Sequence, residues 1–437
     1  MPRLQGWLIS VLFCLMAVVA AASMWFYVDA IMARNQVADA AVRHIPRGNL
    51  SDLYPRWLGA RELLLHGRNP YSNEITAEIQ TGYYGRPLDP SLPNDPKDQQ
   101  AFAYPVYVIF VLSPAIKLPF NLVRFWFLWV LVGLSVAAMW LWLQVLRWRL
   151  SFVGTFLCVV LLLGSFPEVQ GIKLQQLSLL VAALLAAGTA LVSAGQLFLG
   201  GALLALATIK PQLALPLIAW LLIWTASNWK VRWRFAAGFF AIMGLLLAAS
   251  EFVLPGWLRM FWQAVREYRG YTGNQSILDQ LADWGLGPWG GSILAAIAAM
   301  ASAALLWRVR TEAAASENFG RAIALVMALT ILIIPMNSPY NQILLLPSIL
   351  VLARERRSLI SDSAVVRIVY VGGVFGLGWA WLASVMVMLI WCFSHTMAMG
   401  AWKTPLYAIF TMPVLVFMLT LVSVRQHTVL RVPDATR

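Results

Sequence analysis

Charge is scarce in this chain. Only 12% of its 437 residues are Asp, Glu, Lys or Arg, against 60% hydrophobic. A soluble domain carries about a quarter charged residues, so ordinary packing in water is excluded. Cysteine and histidine are scarce as well. Cys14, Cys158 and Cys392 lie singly inside apolar runs, with no disulfide framework and no paired-cysteine metal spacing. His44, His66, His395 and His427 are scattered, and no HExxH is present. The chain also lacks a GxxxxGK phosphate loop, a GxSxG elbow and a GxGxxG turn, which argues against nucleotide and serine hydrolysis.

What remains is apolar sequence in long runs. Crossing a hydrocarbon core of about 30 Å takes about 20 helical residues, and runs of that order recur throughout, at 7–28, 122–146, 235–254 and 368–393 among others. Spanning backbone must satisfy its own hydrogen bonds, so these segments are expected to be helices. They do not alternate polar and apolar residues as barrel strands do. The further runs 150–164, 176–194, 197–209, 211–225, 289–307, 322–334, 342–353 and 405–424 bring the expectation to twelve spans. A thirteenth segment, 104–119, is interrupted by Pro105, Pro114 and Pro119 and reads either as a crossing or as a re-entrant half-helix. If it crosses, 197–225 becomes a single span kinked at Pro211 and Pro216. The expected fold is an all-α polytopic membrane protein of about 12–13 transmembrane helices, with 1–437 as one integral membrane domain. The N-terminal run imitates a signal peptide, but it continues through Trp25, Phe26 and Tyr27 and is read as a retained first span.

The formal charge of +13 comes from short basic clusters at 147–149, 230–234, 308–310 and 354–357, with Arg3 and Arg431 near the ends. Such clusters mark cytoplasmic loops. They do not form a basic strip on a soluble domain, so no nucleic-acid partner is expected. The loops left over then face outward. The largest, 29–103, holds nine of the chain's nineteen carboxylates. Within it, Ser51, Asp52 and Pro55 read as a helix start and Gly67 as its stop. That helix is expected to lie along the membrane surface. The stretch 84–100, rich in Pro, Asp and Gly, is expected to be irregular.

Asp52 is the first candidate for chemistry, because an outward carboxylate can take a proton from an incoming hydroxyl. The plainer reading makes it a helix N-cap. Lys173 and Lys210 are cations in or beside apolar sequence. A charge at membrane depth costs at least about 2.5–3.5 kcal/mol, which makes it a functional hypothesis by default. The plainer reading of Lys210 is a snorkelling side chain beside Pro211. The stretch 268–276, containing Tyr268, Tyr271, Asn274 and Gln275, is read as a polar and aromatic outer loop suited to sugars, or as an ordinary interfacial loop. The stretch 336–342, containing Tyr340 and Asn341, is a polar break between apolar runs.

Several of these segments, taken in order, resemble a known pattern. They are Ser51 to Tyr54 with Ala60 and Gly67 to Tyr71, Phe102 to Pro105, Gln175 to Ser178, Gly200 to Pro211 with Lys210, Gly273 to Ser276, and Ser338 to Gln342. The chain resembles the polyprenyl-phosphate-mannose-dependent mannosyltransferases, glycosyltransferase family 87, within the multispanning class-C glycosyltransferases. It departs from that pattern at Gln175, where relatives carry Gly, and at Tyr340 and Asn341, where many carry His or Trp. The resemblance implies a mannosyltransferase in the cell membrane, plasma or inner, with its site facing outward. The donor would be a polyprenyl-phosphate sugar and the acceptor a glycolipid or glycan. Asp52 would be the general base of an inverting reaction. Lys173, Lys210, Tyr104, Gln176, Asn274 and Gln275 would hold the donor, while Tyr54, Arg61, Tyr71, Tyr340 and Asn341 would line the cavity or hold the acceptor. Neither metal nor cofactor is implied. The rival readings are a secondary transporter, for which Pro-broken runs at 197–225 speak, and a non-catalytic envelope scaffold.

Overall fold

The computed structural model describes residues 2–46, 48, 51–273, 275–335 and 338–429. All regular structure among them is helical, and they contain no strand. Helix α1 (Pro2–Phe26) runs without a break through a π-helical turn (Tyr27–Met32) into α2 (Ala33–Val42). The first span is therefore a longer rod than 7–28, and Asp29, expected in a loop, sits on helix. Next come α3 (Tyr54–His66), α4 (Asn73–Tyr84) and the short α5 (Val108–Leu112), followed by α6 (Phe120–Val145). Helix α7 (Phe152–Leu163) bends by 57° into α8 (Phe166–Lys173). The chain continues through α9 (Leu177–Ser193), α10 (Leu197–Ala207), α11 (Pro211–Ala226), α12 (Trp229–Val253), α13 (Trp257–Thr272) and α14 (Ile277–Ala282). It ends with α15 (Gly290–Val309), α16 (Glu317–Ile333), a 3-10 segment (Pro339–Leu345), α17 (Leu346–Arg354), α18 (Arg356–Ser361), α19 (Ala364–Phe393), α20 (His395–Gly400) and α21 (Met412–Val429).

Helix occupies each of the twelve apolar runs, wholly or in part. Five of the described helical stretches are long and apolar enough to cross a membrane: Trp7–Val42, Phe120–Val145, Trp229–Val253, Gly290–Val309 and Ala364–Phe393. A sixth is added if α7 and α8 count as one broken span. The protein is thus an all-α polytopic membrane protein. Residues 104–119 do not cross, because α5 has five residues and rises only about 7–8 Å. Nor is 197–225 one kinked span. Helices α10 and α11 are two short arms that meet at Thr208–Lys210.

Several contacts orient the bundle. Ser193 Oγ donates to the Ala314 carbonyl at 3.1 Å, and Trp224 Nε1 to the Glu312 carbonyl at 2.9 Å. Arg232 donates to the carbonyls of Arg310, Thr311 and Glu312, while Arg354 donates to that of Leu146. Arg321 joins the two groups through Asn318 and Glu355. The basic clusters of four separate loops therefore gather at one end. Helix α9 leads from there to Leu177, about 25 Å away over 17 residues, and α11 leads back to Lys210. The polar residues at those far ends form the site described below.

Small residues let the short arms pack. A Cβ on Gly201 would collide with the Phe235 carbonyl of α12, and one on Gly238 with the Phe198 carbonyl of α10. Only glycine allows backbones this close, which is how helices gain contact where lipid removes the hydrophobic drive.

Candidate functional site

Pro55 stands near the start of α3, and Gly67 ends the helix in the left-handed conformation with φ 67°, as its position in the sequence implies. The helix does not lie free on a surface. Trp57 Nε1 donates to the Ala115 carbonyl at 3.1 Å and Arg61 to the Ile116 carbonyl at 3.2 Å. Phe102 fills the space left by Gly59 and meets the Tyr71 ring edge-on at 5.3 Å. Tyr71 in turn donates to the Tyr104 carbonyl at 2.6 Å. The short segment 102–119 is thus strapped between α3 and the bundle. The irregular stretch beyond α4 is pinned by Arg86, which donates to Asp95 at 2.9 Å.

Asp52 lies just before α3. Its N–H donates to the Leu174 carbonyl at 2.9 Å, anchoring the loop to the end of α8. Its own carbonyl accepts from Arg56 at 2.6 Å. The N-cap reading is corrected here: the cap position is Leu53, no side chain caps the helix, and the first turn closes through Tyr54 N–H to the Ser51 carbonyl. The Asp52 carboxylate instead accepts from Gln176 Nε2.

From Gln176 the hydrogen bonds continue. Lys210 Nζ donates to Gln176 Oε1 at 3.0 Å and to Ser178 Oγ at 2.7 Å, and Ser178 donates to Asn341 Oδ1 at 2.7 Å. The ammonium lies 5.8 Å from the centre of the Tyr104 ring and 5.2 Å from that of Tyr340. Arg56 stacks over Tyr104 at 4.6 Å. The arm junction is held from outside by Tyr107, whose hydroxyl donates to the Thr208 carbonyl at 2.9 Å. Snorkelling is ruled out for Lys210, since the residue is 6% exposed and turned into the protein.

The charges here are under strain. Arg56 is 8% exposed, and its Nε has no hydrogen-bond partner among the described residues. No ion pair joins Asp52, Arg56 or Lys210 to an opposite charge among the described residues. Asp52 is half-buried and walled by protein. Burial pushes its carboxyl above the usual carboxylate range; Asp98 adds to the rise, while Arg56, Lys210 and the Gln176 amide oppose it. A base with raised proton affinity beside two cations is equipped to take a proton from a hydroxyl and to steady an anion that departs.

The structure thus brings Asp52, Tyr104, Gln176, Lys210, Tyr340 and Asn341 together. It places the other sequence candidates elsewhere. Lys173 is paired with Asp29 at 2.5 Å and lies over Trp25, so its charge is already answered at the end of α8. Tyr54 packs on Trp57 and Phe120, Arg61 is spent on the Ile116 carbonyl and the Trp57 ring, and Tyr71 serves the Tyr104 carbonyl. Gln275 donates to Asp283 at 3.1 Å. Asn274 lies outside the described residues. Residues 268–272, expected in a loop, form the last turn of α13. Sequence reasoning missed Arg56 and Ser178 as members of the cluster. The signal for Arg56 was its place one helical turn after Asp52, and for Ser178 its place two residues after Gln176.

Beside the cluster, the 3-10 segment carries Tyr340 and Asn341 at one end and roofs an apolar cavity with the other. This cavity, of about 270 Å³, lies between α7, α17, α19 and α21, and its walls include Leu161, Ile343, Leu350, Leu377 and Trp381.

Fold and apolar helices together define a multi-pass membrane protein of the class-C glycosyltransferase kind. The model of glycosyltransferase family 87 matches residues 102–335, more than half of the chain. The chain belongs to glycosyltransferase family 87. The matched region contains Tyr104, Gln176, Ser178 and Lys210, whereas Asp52 precedes it and Tyr340 and Asn341 follow it. No curated protein and no solved structure matches the chain.

Proposed function

We propose that this glycosyltransferase moves a hexose, mannose by its family resemblance, from a polyprenyl-phosphate donor to a hydroxyl of a glycolipid or glycan. Transfer takes place at the outer face of the cell membrane, opposite the basic end of the bundle. The observation that carries the reading is the juxtaposition of the Asp52 carboxylate with two buried cations that have no ion-pair partner among the described residues. The acceptor hydroxyl gives its proton to Asp52 as its oxygen forms a bond to the anomeric carbon. The bond from that carbon to the phosphate oxygen breaks on the opposite face, so the configuration inverts. The electron pair leaves with the phosphate, whose charge Lys210 and Arg56 meet. Phosphate is a stable leaving anion, so the scheme calls for no protonating acid, metal or cofactor. In this reading the apolar cavity beside the 3-10 segment takes part of the donor's hydrocarbon chain, and the phosphate lies toward Lys210 and Arg56. The family match favours glycosyl transfer over transport, for which only the broken run 197–225 spoke.

The test uses purified protein with radiolabelled polyprenyl-phosphate mannose and an extract of membrane lipids. Expected is a labelled lipid or glycan that fails to form with Asp52→Asn. Uptake of substrate into proteoliposomes without any transfer product would overturn the proposal.

A further inference from the structure

We propose that Gln176 is a positioning residue: its amide stands between the Asp52 carboxylate and the Lys210 ammonium and keeps them from closing into an ion pair. The carboxylate stays free to take a proton and the ammonium free to meet an anion. The chemistry assigned to those two groups rests on the function proposed above.

An amide has a positive end and a negative end, and only one orientation suits this place. Nε2 must face the carboxylate and Oε1 the ammonium, as observed. Opposite charges in a poorly solvated interior attract several-fold more strongly than in water, so two such groups held one side chain apart collapse together unless something rigid separates them. Gln176 is held rigidly. It is 3% exposed and directly precedes α9. Its N–H donates to the Gly171 carbonyl at 2.9 Å. The preceding Gln175 is in the left-handed conformation with φ 53°, and its side chain donates to the Arg124 carbonyl. A left-handed non-glycine residue is costly, and here it is the stop of α8, closed by the Gln175 N–H to the Ile172 carbonyl and the Gln176 N–H to the Gly171 carbonyl. The backbone is thereby turned so that the next side chain enters the gap between the charges.

A merely structural glutamine would satisfy its neighbours without tuning them. The two roles differ in what they do to Asp52. The other charged or titratable groups facing its carboxyl are Arg56 on α3, Tyr84 at the end of α4, Asp98, Lys210, Tyr268 on α13 and Tyr340. None of them is substituted in the experiment.

That experiment follows the infrared carboxyl band of Asp52 against pH in the purified full-length protein. The band is assigned in each background by its loss on adding Asp52→Asn. In Gln176→Leu the spacer loses its dipole, Asp52 pairs directly with Lys210, and the band disappears at lower pH than in the parent. In Gln176→Glu a second negative charge takes the spacer's place, and the band persists to higher pH. In both variants inorganic phosphate, read by thermal protection, binds about ten- to a hundredfold more weakly, because Lys210 now has a carboxylate partner. Opposite movements of the band support the spacer. A band that stays at the parental pH in both variants, or moves the same way in both, overturns it, as does undiminished phosphate binding. Should Gln176→Leu fail to fold, Gln176→Met, which keeps the length and removes the amide, takes its place beside Gln176→Glu. Neither readout needs sugar transfer. A parent that transfers no sugar while its variants shift the band sinks the enzymatic reading only, and a band that does not move sinks the spacer only.

Discussion

Replacing Asp52 by Asn tests the mechanism where it is most exposed. The substitution keeps the size and the acceptor oxygen, so Gln176 Nε2 retains its partner. What goes is the capacity to hold a proton. Losing a positioned base costs roughly 10²–10⁴ in turnover, equivalent to about 2.7–5.5 kcal/mol of activation free energy. Stability moves differently. Were Asp52 a cap, Asp52→Ala would cost about 0.5–2 kcal/mol, but the first turn of α3 closes on the Ser51 carbonyl and draws nothing from the side chain. The sign of the pH effect follows from burial. The folded carboxyl holds its proton to higher pH than the unfolded one. Stability is therefore lost as pH rises from the unfolded pKa of about 3.9 to the higher folded value, and the loss is complete above that. Asn carries no such penalty. Asp52→Asn should melt at or above the parental temperature at pH 7–8, with the gain disappearing below pH 4. The acid limb of the parental rate profile should also lie above the ordinary carboxylate range and vanish in the residual activity of the variant. Transfer assays across pH with melting in parallel decide the matter. Near-parental transfer by Asp52→Asn, or an acid limb that survives the substitution, would refute the assignment and turn attention to Glu62 or Asp279. Glu62 is already engaged with Arg68 and His66, and Asp279 with the N-terminal turn of α14.

Lys210→Ala should raise the donor KM about tenfold or more, in keeping with one lost charge-assisted contact; unchanged kinetics would return Lys210 to a structural role. Cysteine placed at Ser91 should react with an impermeant reagent on intact cells while cysteine at Ser358 should not, and the reverse pattern would invert the proposed orientation. Gly238→Val should destabilise the protein by roughly 1–3 kcal/mol or more, because its Cβ meets the Phe198 backbone of α10 and not a side chain that can swing away; an unchanged melting temperature would mean the two arms separate freely.

Six residues of the cluster were named from the sequence, on different grounds. Asp52 came from a helix start in the large outer loop, and Tyr104 and Gln176 came only through the family resemblance, whereas Lys210, Tyr340 and Asn341 stood out by rule as polar groups interrupting apolar sequence, where such groups must find partners. The same rule failed for Lys173, because sequence gives the depth of a cation but not its direction, and this side chain turns back to Asp29 on the first helix. Arg56 was hidden by ordinariness. An arginine on an amphipathic helix reads as solvated until the helix is seen pressed into the bundle by Trp57 and Arg61. The extension of the first helix through Val42 was missed because residues 33–42 are too polar to suggest a span, although nothing among them breaks a helix. In α13, Gly270 and the tyrosines around it suggested a loop, but the helix carries them on to Thr272.

The arms that meet at Lys210 bear on how the protein is made. Helix α10 has only 11 residues, about 16 Å of rise, and the next turn of chain carries a lysine. Neither arm is an attractive membrane segment by itself, so the two must enter as a pair with the lysine at their tip. The partners of that lysine come from opposite sides of it in order of synthesis. Gln176 and Ser178 have emerged before it, whereas Asn341, which fixes Ser178, follows about 130 residues later. At translation rates of about 5–20 residues per second, the tip waits some seconds with its network incomplete. A chain cut before the 3-10 segment would hold the arms but leave Ser178 without its acceptor. Nascent chains of increasing length should therefore acquire protease resistance at the arms only once residue 341 has entered the bundle.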